Sequence, residues 1–299
     1  MNWRDRLAFI GVTGLIQFDK PLEKLRSQMR FSNFVALKPF GVRVQPERIG
    51  NVPVEWYYPK NQSRAQTCMV YLHGGAYVAG SISTHRAMLM HWAKIMQIAI
   101  CSVEYRLAPE HRFPAGLDDA MAVYQALQAR GFKASDMVIG GDSAGGGLAL
   151  ATLLRLRDEG IELPAGACLI APWTNLAETE ENGLRRMKER KEGWLTPNLR
   201  IYGIEYAGTE SLSHPYVSPQ FGEMHGLPPL CIHIGENEFL FEDAQRVADK
   251  ARAAGVSVEF KEWQDMWHVF HALTPVSPTA TRALREFSEF SRRVLKIQN

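Results

Sequence analysis

The stretch that most constrains this chain is Gly140-Gly141-Asp142-Ser143-Ala144-Gly145-Gly146. A short apolar run, Met137-Val138-Ile139, precedes it, and Leu148-Ala149-Leu150-Ala151-Thr152-Leu153-Leu154 follows. Together these read as strand, tight glycine-rich turn and helix, with one serine at the tip. Gly141 to Gly145 fits G-x-S-x-G, the pattern of a nucleophile elbow. In such a turn the serine takes a strained backbone conformation, and small neighbours let strand and helix approach closely. The hydroxyl then stands above the sheet, and the Ala144 amide at the helix start points to where an oxyanion would form. Three fixed positions in five also occur in ordinary βα turns. The strand before and the helix after favour the elbow.

The chain has 299 residues, 46% hydrophobic and 22% charged. A chain this long buries about three quarters of its unfolded surface, so its core needs no covalent staple. The formal net charge of +2 is too near zero to argue for a nucleic-acid or membrane partner. Cys68, Cys101, Cys168 and Cys231 each lie in or beside an apolar run, and no C-x-x-C spacing occurs. They read as buried free thiols in a reducing compartment, with no metal or redox role. The apolar run at residues 7–16 is too short for a membrane span. It follows Arg4 and Arg6 as a signal peptide would, but Gln17-Phe18-Asp19-Lys20-Pro21 comes next instead of a small-residue cleavage site. The expectation is a cytoplasmic protein.

In chain order, residues 1–33 are helix-like. Residues 42–44 and 54–58 read as two antiparallel strands around Gly50-Asn51. Residues 67–72 form a nearly continuous apolar run, as expected of a strand buried on both faces. Helices are expected over 83–96, 116–130, 198–206, 240–254 and 279–297, and strands over 98–103, 167–171, 229–234 and 256–263. Gly255 sits where a helix C-cap belongs. The two prolines of residues 105–115 make that stretch a loop. Strands alternating with helices predict an α/β fold, with a mostly parallel sheet covered by helices on both faces. Residues 173–219 break the alternation with charged, helix-like sequence. With 1–33 they are candidates for a helical cap over the carboxyl ends of the strands.

A serine at neutral pH needs a base, and in a fold of this kind the partners follow in the order Ser, acid, His. His268 lies just past the last expected strand, with His271 as competitor. The acid should follow the preceding strand, within Ile234-Gly235-Glu236-Asn237-Glu238-Phe239-Leu240-Phe241-Glu242-Asp243. Glu238 sits in the turn, where it can reach back over the sheet, and Glu236 is the runner-up. Glu242 and Asp243 fall in the helix and are expected to solvate its first turn. Further oxyanion donors come from His73-Gly74-Gly75-Ala76, directly after a buried strand. His73 itself is expected to brace that loop.

These motifs resemble the hormone-sensitive-lipase-like carboxylesterases of the α/β-hydrolase superfamily. The resemblance runs from about Val54 to Phe270. It is carried by His73-Gly74-Gly75-Ala76-Tyr77, Tyr105-Arg106-Leu107-Ala108-Pro109-Glu110, Phe113-Pro114-Ala115 and Gly141-Asp142-Ser143-Ala144-Gly145-Gly146, with Leu227-Pro228-Pro229 and Met266-Trp267-His268 beside them. It implies an α/β-hydrolase fold with a central sheet of about eight strands, residues 1–299 forming one domain, and a cap from residues 1–33 and 173–219. It also implies Ser143 as nucleophile, His268 as base and Glu238 as acid. The oxyanion donors would be Ala144 and two adjacent amides of the first segment, Gly75 and Ala76, with Gly74 as a third candidate. No cofactor or metal is implied. The substrate would be a small ester of short to medium acyl chain, with an amidase or lactonase on the same triad, or a silent small-molecule receptor, as alternatives. The cap's apolar residues, among them Phe9, Ile10, Leu15, Ile16, Phe18, Tyr202 and Ile204, are candidates to line the acyl site. Two positions depart from the family pattern. Ala76 stands where a third glycine is usual, and tolerates the change provided its φ stays negative. Glu238 stands where Asp is usual. The last strand has a free edge through which a homodimer could pair.

Overall fold

The structure, a computed structural model, describes residue 5 and residues 21–35, 37–60, 66–178 and 198–297. Most of the expected N-terminal helix, and the helix-like sequence of 179–192, lie outside the described residues. Helix α1 (Leu22–Val35) leads into strands β1 (Val42–Ile49) and β2 (Val52–Pro59), which pair antiparallel with Ile49 opposite Val52. Gly50, at φ 58, turns the chain between them. β1 alternates between exposed and half-buried residues up to Ile49, because it is an edge. β3 (Cys68–Leu72), β4 (Ala99–Val103), β5 (Met137–Asp142), β6 (Gly166–Ile170) and β7 (Leu230–Gly235) are buried at every position. Their predominantly apolar sequences reflect cover on both faces.

The eight strands are ordered β1-β2-β4-β3-β5-β6-β7-β8, with β8 spanning Val258–Trp263. Only the β1–β2 and β2–β4 pairings are antiparallel. Helix α2 (Ile82–Met96) carries the chain from β3 outward to β4, while α3 (Ala115–Ala129) carries it back past β3 to β5. Right-handed crossovers in opposite directions place their helices on opposite faces. The chain then continues through α4 (Ala144–Asp158) from β5 to β6 and through α6 (Phe241–Ala253) from β7 to β8, with helix α5 (Asn198–Ala207) in the stretch between β6 and β7. The C-terminal helix α7 (Pro278–Val294) packs on α2, and α3 packs on α4. The direction of travel therefore reverses between β3 and β5. In open α/β sheets such a switch point opens a crevice at the carboxyl ends of the strands.

Two contacts tie the ends of the chain to this frame. Arg26 of α1 donates from Nε to the Val78 carbonyl (2.8 Å), from Nη2 to the Ala108 carbonyl (3.0 Å), and as a fork to both oxygens of Glu110 (2.7 and 2.8 Å). Asp5 is buried and accepts from Ser277, the N-cap of α7, and from Thr279 (2.7 Å). No described helix is long and apolar enough to cross a membrane. All four cysteines are free and buried.

The core also holds histidines. His233 of β7 stacks on Phe287 of α7, with ring centres 3.7 Å apart, and its Nδ1 lies 3.3 Å from Nε2 of buried His271. Both rings are held neutral. Burial depresses His233 and His271 well below the ordinary histidine range, with His271 adding to the effect at His233 and His268 to that at His271, where Asp142 opposes it, and His271 falls to about 3. Groups depressed in the folded state lend stability that is complete above their unfolded value of 6.5 and is lost as pH falls below it. Unfolding free energy should therefore drop on acidification through about pH 6 to 5, before most carboxylates titrate, by up to about 1.4 kcal/mol per pH unit for each histidine. Denaturant titrations at stepped pH check this, and a free energy flat across that window would contradict it.

Candidate active site

The switch point brings two turns together. β3 and β5 are neighbouring parallel strands with Leu72 in register with Gly141, so the segment after Leu72 lies beside the turn after Asp142. Ser143 sits at that second turn with φ 54 and ψ −123, outside the regions a non-glycine residue ordinarily occupies. Three backbone bonds hold it there. Its N–H donates to the Ile170 carbonyl (2.8 Å), and its carbonyl accepts from Gly147 (3.1 Å) and Trp173 (2.9 Å). The glycines on either side are required by contact. A Cβ on Gly145 would lie 2.1 Å from the Leu72 carbonyl oxygen, and one on Gly141 would lie 2.2 Å from that of Gly145. Ser143 remains half-buried, whereas its neighbours from Gly140 to Leu150 are buried.

Glu238 and His268 meet across 30 residues. His268 Nδ1 lies 2.8 Å from Glu238 Oε2, and both side chains are buried. The carboxylate can only accept, so Nδ1 carries a proton, and in the neutral ring the lone pair lies on Nε2. The other oxygen of Glu238 accepts the Gly235 N–H at 2.6 Å. The longer arm of glutamate is thus folded back over its own turn. Glu236 is half-buried, and its carboxylate accepts the Asp265 N–H (3.0 Å), bracing the loop that carries His268. His271 faces His233, beneath that loop. Asp243 does not solvate the first turn of α6. It is buried, and its Oδ2 accepts the amides of Thr174 (3.2 Å) and Asn175 (2.9 Å), tying the loop after β6 to α6.

The segment after β3 corrects two expectations. The Gly74 N–H is already committed, donating to Asp142 Oδ1 at 3.0 Å, so Gly74 does not present a free amide. Ala76 does not keep a negative φ: it lies at 55, with Tyr77 at 63. The cause is the turn that follows, in which the Gly75 carbonyl accepts from both Val78 (3.1 Å) and Ala79 (2.8 Å). Among the described residues the N–H groups of Gly75 and Ala76 have no hydrogen-bond partner. Ala144 is the first residue of α4, where an N–H has no acceptor within its own helix. His73 braces the loop as expected. Its Nδ1 is 2.8 Å from the Gly74 carbonyl oxygen, its ring stacks on Tyr105 at 4.3 Å, and its own carbonyl accepts the Tyr105 hydroxyl at 2.6 Å. Burial pushes it down to about 3, so it is neutral.

Of the expected cap, residues 21–33, 173–178 and 198–219 are described, the last including α5. Tyr206 stacks on Tyr77 at 3.8 Å, and the Tyr206 carbonyl accepts the Phe113 N–H at 2.7 Å, which sets this helix against the turn after β3. Tyr202 is buried and Ile204 is 47% exposed. Phe9, Ile10, Leu15, Ile16 and Phe18 lie outside the described residues. No described cluster of side chains could hold a metal ion.

A doubly covered parallel sheet with a serine turn at its switch point, and a Glu–His pair on the loops after its last two strands, defines an α/β-hydrolase. Residues 69–272 match the family described as alpha/beta hydrolase fold. An esterase of Acinetobacter venetianus is 37% identical over 229 residues, 76% of this chain and 74% of that one. An acetyl-hydrolase of Streptomyces hygroscopicus is 38% identical over 222 residues, 74% of this chain and 73% of that one. The crystal structure of an esterase from the bacterial hormone-sensitive lipase family superposes with a TM-score of 0.91 at 31% identity, covering 99% of both chains. The chain belongs to the α/β-hydrolase family, in its hormone-sensitive-lipase-like branch.

The left-handed Ala76 gives a direct test of the turn. An alanine there costs about 1–2 kcal/mol of backbone strain, whereas glycine adds about 0.4–1 kcal/mol of unfolded-chain entropy. Ala76→Gly should therefore raise Tm slightly, by about 2 °C for a chain of this size, with esterase activity retained. Thermal unfolding checks it. A lower Tm would mean that the alanine methyl contributes packing that outweighs the strain.

Proposed function

We propose that this carboxylic ester hydrolase acts as a serine esterase on small esters of short to medium acyl chain. The observation that carries the reading is the buried 2.8 Å bond between Glu238 and His268, on the strand-end loops flanking a strained serine turn. Ser143 Oγ attacks the ester carbonyl carbon while His268 Nε2 takes its proton. Glu238 holds the ring in that tautomer and stabilises the imidazolium as it forms. The amides of Gly75, Ala76 and Ala144 receive the negative charge that develops on the carbonyl oxygen. They are preorganised by backbone geometry, so little reorganisation is needed when that charge appears. The imidazolium returns the proton to the departing alcohol. Water then adds to the acyl-enzyme with His268 again as base, the acid leaves, and Ser143 is regenerated. The Streptomyces relative, described as an acetyl-hydrolase, supports the short end of the acyl range.

Two further parts belong to this reading. The free edge of β8 supports pairing with a second copy, which sedimentation at low concentration would refute by showing a monomer. Four buried free cysteines are consistent with a reducing, cytoplasmic setting.

Hydrolysis of p-nitrophenyl esters from acetate to palmitate tests the proposal. Turnover should peak at short chains, and Ser143→Ala should lower kcat by about 10⁶. Glu238→Gln should lower kcat by roughly 10⁴, because glutamine can present an N–H where His268 needs an acceptor. Glu236→Gln keeps an acceptor for Asp265 and should stay near wild type. Activity that survives in Ser143→Ala would end the proposal, and a dead Glu236→Gln beside an active Glu238→Gln would reverse the choice of acid.

A further inference from the structure

The residue just before the elbow serine is a buried acid. Asp142 ends β5 at 2% exposure, and each of its oxygens is engaged. Oδ1 accepts the Tyr71 hydroxyl (2.7 Å) and the Gly74 N–H (3.0 Å), and Oδ2 faces His85 Nε2 at 3.2 Å. The fit is close: a Cβ on Gly74 would lie 2.3 Å from Oδ2. Asp142 therefore grips, by its amide, the residue preceding the two amides offered to the oxyanion.

His85 comes from the first turn of α2 and is also buried. That turn is fixed by a capping box, in which Thr84 N–H donates to Ser81 Oγ (3.2 Å) and Ser81 N–H donates to Thr84 Oγ1 (3.0 Å). The Thr84 hydroxyl is placed to donate its own hydrogen to the Ser81 carbonyl (2.8 Å). His85 Nδ1 then faces only acceptors, Thr84 Oγ1 at 2.8 Å and the Ser81 carbonyl oxygen at 3.3 Å. Nε2 faces a carboxylate, which also only accepts. A neutral ring has one N–H, and fits only if Thr84 turns its hydroxyl from the Ser81 carbonyl to Nδ1. The imidazolium has two and satisfies both.

Building on the esterase reading, we propose that His85 and Asp142 form a buried imidazolium–carboxylate pair whose task is positional: through the Gly74 N–H it fixes the turn that presents the Gly75 and Ala76 amides to the acyl oxygen. The pair also balances charge. A lone Asp142 carboxylate one residue from the nucleophile would oppose the oxyanion, and the imidazolium offsets it. The other groups around His85 agree with this. Glu104 is half-buried and accepts the Ile82 N–H at the start of α2 (2.7 Å), and its charge favours the imidazolium. His73, with its ring centre 5.6 Å away, is neutral, and Tyr71 is a donor to Asp142. Arg86, the next residue, is forked onto Glu55 (2.7 and 2.8 Å) and turned to that partner. Burial alone would lower His85, but Asp142 overrides it and holds the ring above its ordinary value. Burial would likewise raise Asp142, yet the imidazolium and the hydrogen bonds bring it down to about 2. A raised histidine contributes stability below its unfolded value of 6.5 and loses it as pH rises through its folded value. Deprotonation of His85 should therefore loosen the turn on the alkaline side.

Two measurements decide this. The first is ¹⁵N-detected NMR of the wild-type protein at about pH 7.5, which reads the protonation of His85 without any substrate. Both ring nitrogens should carry protons, and a neutral single tautomer would overturn the proposal. The second compares His85→Gln and Asp142→Asn with wild type on p-nitrophenyl butyrate, with Ser143→Ala alongside. Misplacing the donors should lower kcat about 10²-fold at little change in KM, and the alkaline fall in wild-type kcat should be absent from the His85→Gln profile. A folded His85→Gln within twofold of wild-type kcat, with the wild-type alkaline limb intact, would overturn it. Loss of the esterase reading itself would show separately, as activity that does not depend on Ser143.

Discussion

The parallel pairing of β3 with β5 is the contact on which the site depends. Neither the serine turn nor the His73-Gly74-Gly75-Ala76 turn is useful alone. They become one site because Leu72 and Gly141 are in register and because glycines at 141 and 145 let backbone meet backbone without an intervening side chain. The sheet order adds the space. Crossovers leave β3 and β5 in opposite directions, so neither of these two crossovers covers the crevice between their carboxyl ends. The Glu–His pair is delivered by the same device at the far end of the sheet. β7 and β8 are neighbouring parallel strands, and the loops that follow them are laced together by Glu236 N–H to the Trp263 carbonyl (3.0 Å) and Asp265 N–H to the Glu236 carboxylate (3.0 Å).

Electrostatically the site is arranged so that charge appears only where a partner waits. Glu238 is fully buried, and both of its oxygens accept, one from His268 and one from the backbone of Gly235. Asp142 is almost as deeply buried, with three donors around it. The remaining histidines near the site, His73 and His271, are driven neutral by burial, so they add no competing cation. An unpaired buried ion would cost several kcal/mol. Pairing removes most of that penalty and, at Asp142, uses the same carboxylate to hold the Gly74 amide after β3.

What could be read from the sequence follows from how local each feature is. The buried strands were legible because cover on both faces forces predominantly apolar runs, and the elbow because its glycines, serine and flanking elements lie within a few residues. Position after a strand was enough to bring Glu238 and His268 forward as partners. Features set by distant contacts were not legible. The sign of φ at Ala76 depends on a turn closed onto the Gly75 carbonyl, and the loss of Gly74 as a free donor depends on a carboxylate 68 residues away. Asp243 reads as a helix-start acid, yet its partners are the amides of Thr174 and Asn175, in a loop that pattern alone does not place beside it. A signal did exist for the Asp142 contacts. A charged residue inside an otherwise apolar and glycine-rich strand end needs a buried partner, and His85 lies on the apolar stripe Ile82, Leu89, Trp92, Met96 of an amphipathic helix.

The glutamate at position 238 shows how a change of side-chain length is absorbed. One extra methylene would by itself give the carboxylate more reach and more freedom than an aspartate, and that freedom would loosen its contact with His268. The turn removes it. The chain bends so that the Glu238 N–H donates to the Gly235 carbonyl (3.1 Å) while Oε1 accepts the Gly235 N–H (2.6 Å), closing the side chain onto the backbone three residues earlier. The second oxygen is then left pointing at His268 Nδ1. This closure needs a residue without a side chain at 235, since a Cβ there would lie 2.5 Å from the Met266 carbonyl oxygen, in the loop that carries the histidine. The longer acid, the glycine at the end of β7 and the close approach of the histidine loop are therefore one structural solution.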